Sequence, residues 1–166
     1  MDFRKVGINM SMSTSIVYGF GFIVDEVTDE KLIDFIKNHK NAFCRTPTEE
    51  AIYDEILKMT ETEIYIYGTE DYFKDYSCIC SGQEGRGSIV SNIISRETGI
   101  GVQYEMGDRN CDSYPSVLFA EGMPWHLNEK EKNLTINSLT KILLPYVEEL
   151  GLSKDNIESL KIEYYG

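Results

Sequence analysis

Between residues 16 and 24, Ile16, Tyr18, Phe20, Phe22 and Val24 recur at every second position, with Val17, Gly19, Gly21 and Ile23 between them. A period of two is the signature of a β-strand, so five large side chains share one face and need a cover. Gly19 and Gly21 leave the opposite face flat. A neighbouring backbone, a helix or a ligand can then approach closely, or a bulge can form; structural close packing is the favoured reading. A chain with such a run is committed to a sheet with an apolar layer against it.

Other stretches repeat the pattern. Ile100, Val102, Tyr104 and Met106 alternate with Gly101, Gln103 and Glu105, as in a strand wetted on one side. Leu160, Ile162 and Tyr164 oppose Lys161, Glu163 and Tyr165 near the end. Shorter strands are predicted at Ile64–Tyr67 and Val117–Ala120, with Cys78–Cys80 as a candidate edge. Gly107–Pro115 reads as a long polar turn.

Helical signals lie between these runs. Thr28 followed by Asp29 and Glu30 predicts a helix start, with Leu32, Ile33 and Ile36 inward, Asp34 and Lys37 outward, and an end near His39–Asn41. Thr46, Pro47 and Glu49 form a capping box with proline at the first helical position. Ile52, Ile56 and Met59 then recur at helical spacing, widened by Tyr53 and Leu57. Gly82–Gly87 reads as a flexible loop before a short helix over Ser88–Glu97, closed by Gly99. The β-branched residues of that stretch keep a strand as the alternative. Asn128 with Glu131 predicts the start of a last helix, with Ile136, Leu139, Leu143, Tyr146, Val147 and Leu150 on one face and Gly151 as its stop. Pro145 falls inside it and removes the hydrogen bond to Lys141.

Mixed elements without a repeat or a linker predict one α+β domain over residues 1–166. Its sheet is expected to be mixed or mainly antiparallel, with about five strands and helices packed against it. A chain of 166 residues, 42% of them hydrophobic, can bury a core of this kind.

Charge bounds the partners. The formal net charge is −12. The middle stretch, residues 61–125, holds eleven acids and four bases. Such a surface repels nucleic-acid backbones and anionic membranes and suits a basic partner. No apolar run is long enough to span a bilayer, and no basic and apolar leader opens the chain, so a cytoplasmic, reduced setting is expected for its four cysteines.

Motifs for chemistry are weak. Cys78-Ile79-Cys80 lacks the usual metal or redox spacing and reads as structural. His39, near a helix end, is expected to satisfy carbonyls there. Trp125 reads as a core anchor beside His126. Glu105, Asp108 and Asp112 group around the polar turn without the ligand pattern of a calcium loop. Gly82, Gly85 and Gly87 lack the lysine and hydroxyl of a phosphate loop, although Arg86 can contact an anion. No catalytic set, cofactor or metal site is predicted.

The inverse of a nucleic-acid-binding pattern is present. Tyr65, Tyr67, Tyr72, Phe73 and Tyr76 interleave with Glu61, Glu63, Glu70, Asp71 and Asp75. An acidic, aromatic face of this composition can dock in a basic groove in place of a nucleic acid. The predicted role is an acidic protein-binding domain, acting as an inhibitor through Tyr65, Tyr67, Glu70, Asp71, Tyr72 and Asp75. The alternatives are a small hydrolase-like or metal-binding domain using Cys111, Asp112 and His126, and a structural accessory protein.

Overall fold

A computed structural model describes residues 14–58, 83–109, 112–120 and 127–165. Four strands lie among them: β1 (Thr14–Ile23), β2 (Val102–Arg109), β3 (Asp112–Ala120) and β4 (Glu158–Tyr165). The helices are α1 (Asp29–Asn38), α2 (Lys40–Phe43), α3 (Pro47–Lys58), α4 (Gln83–Thr98) and α5 (Ile136–Glu149). The architecture is α+β, and among the described residues every strand pairing is antiparallel. Four strands stand where about five were expected; the predicted strands at 64–67 and 78–80 lie outside the described residues.

The sheet closes on itself in the order β1-β3-β2-β4. Gly19 and Gly21 face Ala120 and Leu118 across the β1–β3 ladder. On the other side of β1, Val17 and Gly19 face Ile162 and Leu160 of β4. The ring is completed where Asp108 of β2 meets Glu163 of β4.

Closure gives β1 an apolar environment on both faces. Val17 and Ile23 pack with Leu118, Ala120, Leu160 and Ile162 in a small core. Phe20, Phe22, Val102, Val117 and Phe119 belong to the larger core shared with the helices. The small core explains the glycines. A Cβ on Gly19 would meet the Phe119 carbonyl oxygen at 2.7 Å, and one on Gly21 would meet the Leu118 Cα at 2.6 Å. Ile16 and Tyr18, expected under a cover, are instead 41% and 49% exposed, because the helices reach only the later half of this face.

Local signals set α1 and α3. Thr28 accepts from the Lys31 amide at 3.3 Å, and Leu32, Ile33, Phe35 and Ile36 are buried. Thr46 accepts from the Glu49 amide at 3.2 Å, while Glu49 accepts from the Thr46 amide at 3.0 Å, closing the box. Ile52, Tyr53 and Ile56 face inward, but Leu57 is 54% exposed and does not widen that face. Met59 is outside the described residues.

Three sequence expectations change. First, α4 begins at Gln83, so the stretch read as a loop is helical from there and the strand alternative fails. Ile89, Val90, Ile93 and Ile94 are all essentially inaccessible, and their spacing suits one helical face; burial outweighs β-branched propensity. Gly87 serves this contact, since a Cβ there would lie 2.7 Å from the Tyr104 Cε2.

Second, the polar turn is a hairpin: β2 and β3 pair out to Arg109 opposite Asp112. Pro115 sits within β3 beyond the last residue paired to β1, so its missing N–H costs no bond on that side.

Third, Asn128 and Glu131 accept from each other's amides and brace the entry to a single 3-10 turn, Glu131–Asn133, rather than the last helix. Leu134 and Thr135 are extended, and Thr135 opens α5 with a second box to Ser138. Ile136 is consequently 62% exposed, while Leu139, Leu143 and Val147 are buried. Pro145 faces solvent within α5. Gly99 and Gly151 take positive φ, 72° and 76°, as stops after α4 and α5.

Candidate functional site

The predicted contact residues Tyr65, Tyr67, Glu70, Asp71, Tyr72 and Asp75 lie outside the described residues, as do Cys78, Cys80, Cys111, Trp125 and His126. Of the alternative set, Asp112 alone is placed, opposite Arg109 in the hairpin. Glu105, Asp108 and Asp112 therefore sit along two paired strands and do not ring a loop. Burial pushes the Glu105 carboxyl up, partly countered by the Gln103 amide that donates to it at 2.6 Å. Among the described residues, no three His, Cys, Asp or Glu side chains are arranged to hold a metal. Nor is any helix there long and apolar enough to cross a membrane.

Two arginines of the middle stretch pair with carboxylates of the first sixty residues. Arg86, 8% exposed, donates to the Val27 carbonyl and to the Asp29 carboxylate in the first turn of α1. It ties the start of α4 to the start of α1. Arg96 donates to Glu49 at 2.8 Å and to the carbonyls of Ala42 and Phe43 at 3.0 and 3.1 Å. It thereby closes the end of α2 onto the start of α3. Burial raises the Glu49 carboxyl, but the Arg96 guanidinium and the amides of Arg45 and Thr46 outweigh it and hold the group below its usual range. Both arginines thus meet carboxylates contributed by the first sixty residues.

A dense polar cluster surrounds His39. It follows α1, whose last carbonyls at Phe35 and Ile36 accept from its backbone N–H. Its ring does not touch carbonyls, contrary to expectation. Nδ1 lies 2.6 Å from Glu97 Oε1 in the last turn of α4, and Nε2 lies 2.8 Å from Glu149 Oε2 at the end of α5. Tyr146 donates to Glu97 Oε2 at 2.8 Å, and Asn38 donates to Glu149 Oε1 at 2.9 Å. The rings of Phe35 and Tyr146 flank the imidazole, with centroids 4.5 and 5.7 Å away. Burial lowers the imidazole pKa, yet the two carboxylates more than restore it, so it stands above 6.5. Both ring nitrogens are engaged, so neither offers a lone pair to a substrate proton. Glu97 and Glu149 are 58 and 110 residues away in sequence, and no local pattern announces them.

A cleft of about 450 Å³ opens elsewhere, between the outer face of β1 and the start of α5. Phe20, Phe119, Leu134 and Leu139 line it. Its rim groups are engaged locally: Glu131 with the Asn128 and Gly101 amides, Lys132 with Glu129, and Thr135 with Ser138. Such a lining offers apolar area but little to orient a polar substrate.

Comparison with models of known families, with curated proteins and with solved structures finds no match to this chain.

Proposed function

We propose that this chain is an acidic protein-binding domain that occupies a basic, nucleic-acid-handling groove of a partner protein. The face assigned to this role carries Tyr65, Tyr67, Glu70, Asp71, Tyr72 and Asp75. One observation supports it most: the placement of Arg86 and Arg96. The stretch 61–125 has only four bases against eleven acids, and two of those bases pair with Asp29 and Glu49. Those guanidiniums pair with carboxylates that lie outside the acidic middle stretch. Negative charge steers association with a basic surface, and interleaved tyrosines supply contact area with little entropy to lose.

The test starts from capture of a partner on the immobilised full-length chain. That partner is then titrated at low salt with the wild type and with the Glu70→Lys, Asp71→Lys double variant. Weaker binding of the variant and displacement of the wild type by duplex DNA are expected. Equal affinity of the two forms removes this face. A complex indifferent to duplex DNA removes the groove.

A further inference from the structure

We propose that His39 is a pH-controlled clasp joining the C-terminal ends of α1, α4 and α5, closed by the doubly protonated ring and released when the ring loses a proton. Hydrogen-bond arithmetic carries the argument. All four carboxylate oxygens have partners: Glu97 takes His39 on Oε1 and Tyr146 on Oε2, and Glu149 takes Asn38 on Oε1 and His39 on Oε2. A carboxylate that accepts on both oxygens has no proton to give. Each ring nitrogen must then donate, which only the imidazolium can do. The neutral ring satisfies one carboxylate and turns a lone pair toward the other.

The setting sharpens this choice. Three helices end here, and each C-terminus concentrates carbonyl dipoles of negative sign; the α1 carbonyls of Phe35 and Ile36 take the His39 amide, and the Thr98 carbonyl of α4 takes Lys130 Nζ at 3.2 Å. His39 follows α1 directly, Glu97 is in the last turn of α4, and Glu149 closes α5. From α4 the ring faces Glu97; from α5 it faces Glu149 and the Tyr146 hydroxyl-bearing ring; from α1 it faces the uncharged Phe35. Lys40, the next residue in the chain, lies over the Tyr53 ring at 5.1 Å. The charges acting on the imidazole are those of Glu97 and Glu149. The ring is only 15% exposed, so solvent replaces the lost contact poorly. Losing its proton leaves the two carboxylates without the cation between them.

The linkage has a definite sign. Because the folded value exceeds 6.5, the clasp contributes its stability in full below that pH and loses it as pH rises through the folded value. The clasp is independent of the acidic face proposed above.

The experiment follows both histidine rings by NMR in the full chain from pH 5 to 10, with His126→Gln to assign them. Amide protection factors in the last turns of α1, α4 and α5 are measured over the same range. A His39 midpoint above 6.5, with protection at these turns falling across that midpoint, is expected. A midpoint at or below 6.5 overturns the proposal. So does an equal loss of protection in His39→Gln. If that variant does not fold, Glu149→Gln serves instead: it keeps an acceptor and removes a charge, and its His39 midpoint should drop relative to wild type. An unchanged midpoint there also overturns the clasp.

Discussion

Gly21 of β1 stands opposite Leu118 of β3 with no space for a side chain: a Cβ on Gly21 would come within 2.6 Å of the Leu118 Cα and 2.9 Å of its Cβ. The obstacle is backbone, which cannot swing aside as a side-chain tip can. Closure of a four-stranded ring depends on that approach.

Gly21→Ala is therefore expected to destabilise the fold by about 1–3 kcal/mol or more through overpacking, read as a lower urea midpoint. Gly101→Ala is the control, since its Cβ would meet only the Glu131 carboxylate, at 3.3 Å. Equal effects of the two substitutions would remove the close-approach account.

Arg96 and Glu49 predict an acid-labile joint. The Glu49 side chain is 5% exposed and Arg96 is 27% exposed. Removing one partner from a buried pair typically costs about 3–5 kcal/mol, and the exposure of Arg96 places Glu49→Ala toward or below the lower end. Glu49 has a folded pKa below 4.5, so its contribution is present above 4.5 and is lost as pH falls through the folded value. Glu49→Gln should flatten the acid arm of the stability profile; an unchanged arm would place acid sensitivity elsewhere.

The two capping boxes before α5 are separable. Thr135→Ala should cost about 1 kcal/mol, because Thr135 holds the Ser138 amide at 3.1 Å and opens a buried-faced helix. Asn128→Ala affects only a 3-10 turn and the Gly99 carbonyl it meets at 2.9 Å, so helix content by circular dichroism should stay near wild type. A larger loss of helix from Asn128→Ala would reverse this assignment.

Charge reversal tests the docking face. Glu70→Lys plus Asp71→Lys should weaken the partner complex by about tenfold, or ~1.4 kcal/mol, at low salt. The difference between wild type and variant should shrink as salt rises, because screening removes the attraction that the variant lacks. A difference that survives high salt unchanged would mean lost packing, not lost charge.

Much of the fold was readable before any coordinates, wherever the cause was local. Thr28, Thr46 and Glu49 cap because a hydroxyl or carboxylate reaches an amide three residues away. Gly99 and Gly151 stop helices because only glycine takes positive φ freely. The period-two runs at 16–24 and 160–164 became strands because alternation has one efficient burial. Readings failed where two local rules conflicted or a distant element arbitrated. The stretch Gly82–Gly87, read as a loop, is helical from Gln83, while the helix expected over Ser88–Glu97 is present and its strand alternative is not. Asn128 and Thr135 both offered caps, and the extended backbone between them assigned α5 to Thr135.

Partnerships across the chain were beyond local rules. His39 meets Glu97 and Glu149, Arg86 meets Asp29, and Arg96 meets Glu49 only because the helices pack as they do. Spacing of 47 to 110 residues leaves no periodic trace. Hydrophobic alternation and capping therefore suffice to name the elements, since they act within a few residues. Ring closure, the pairing of two arginines with distant carboxylates and the meeting of three helix ends arise from long-range packing, where burial and charge pairing are settled together.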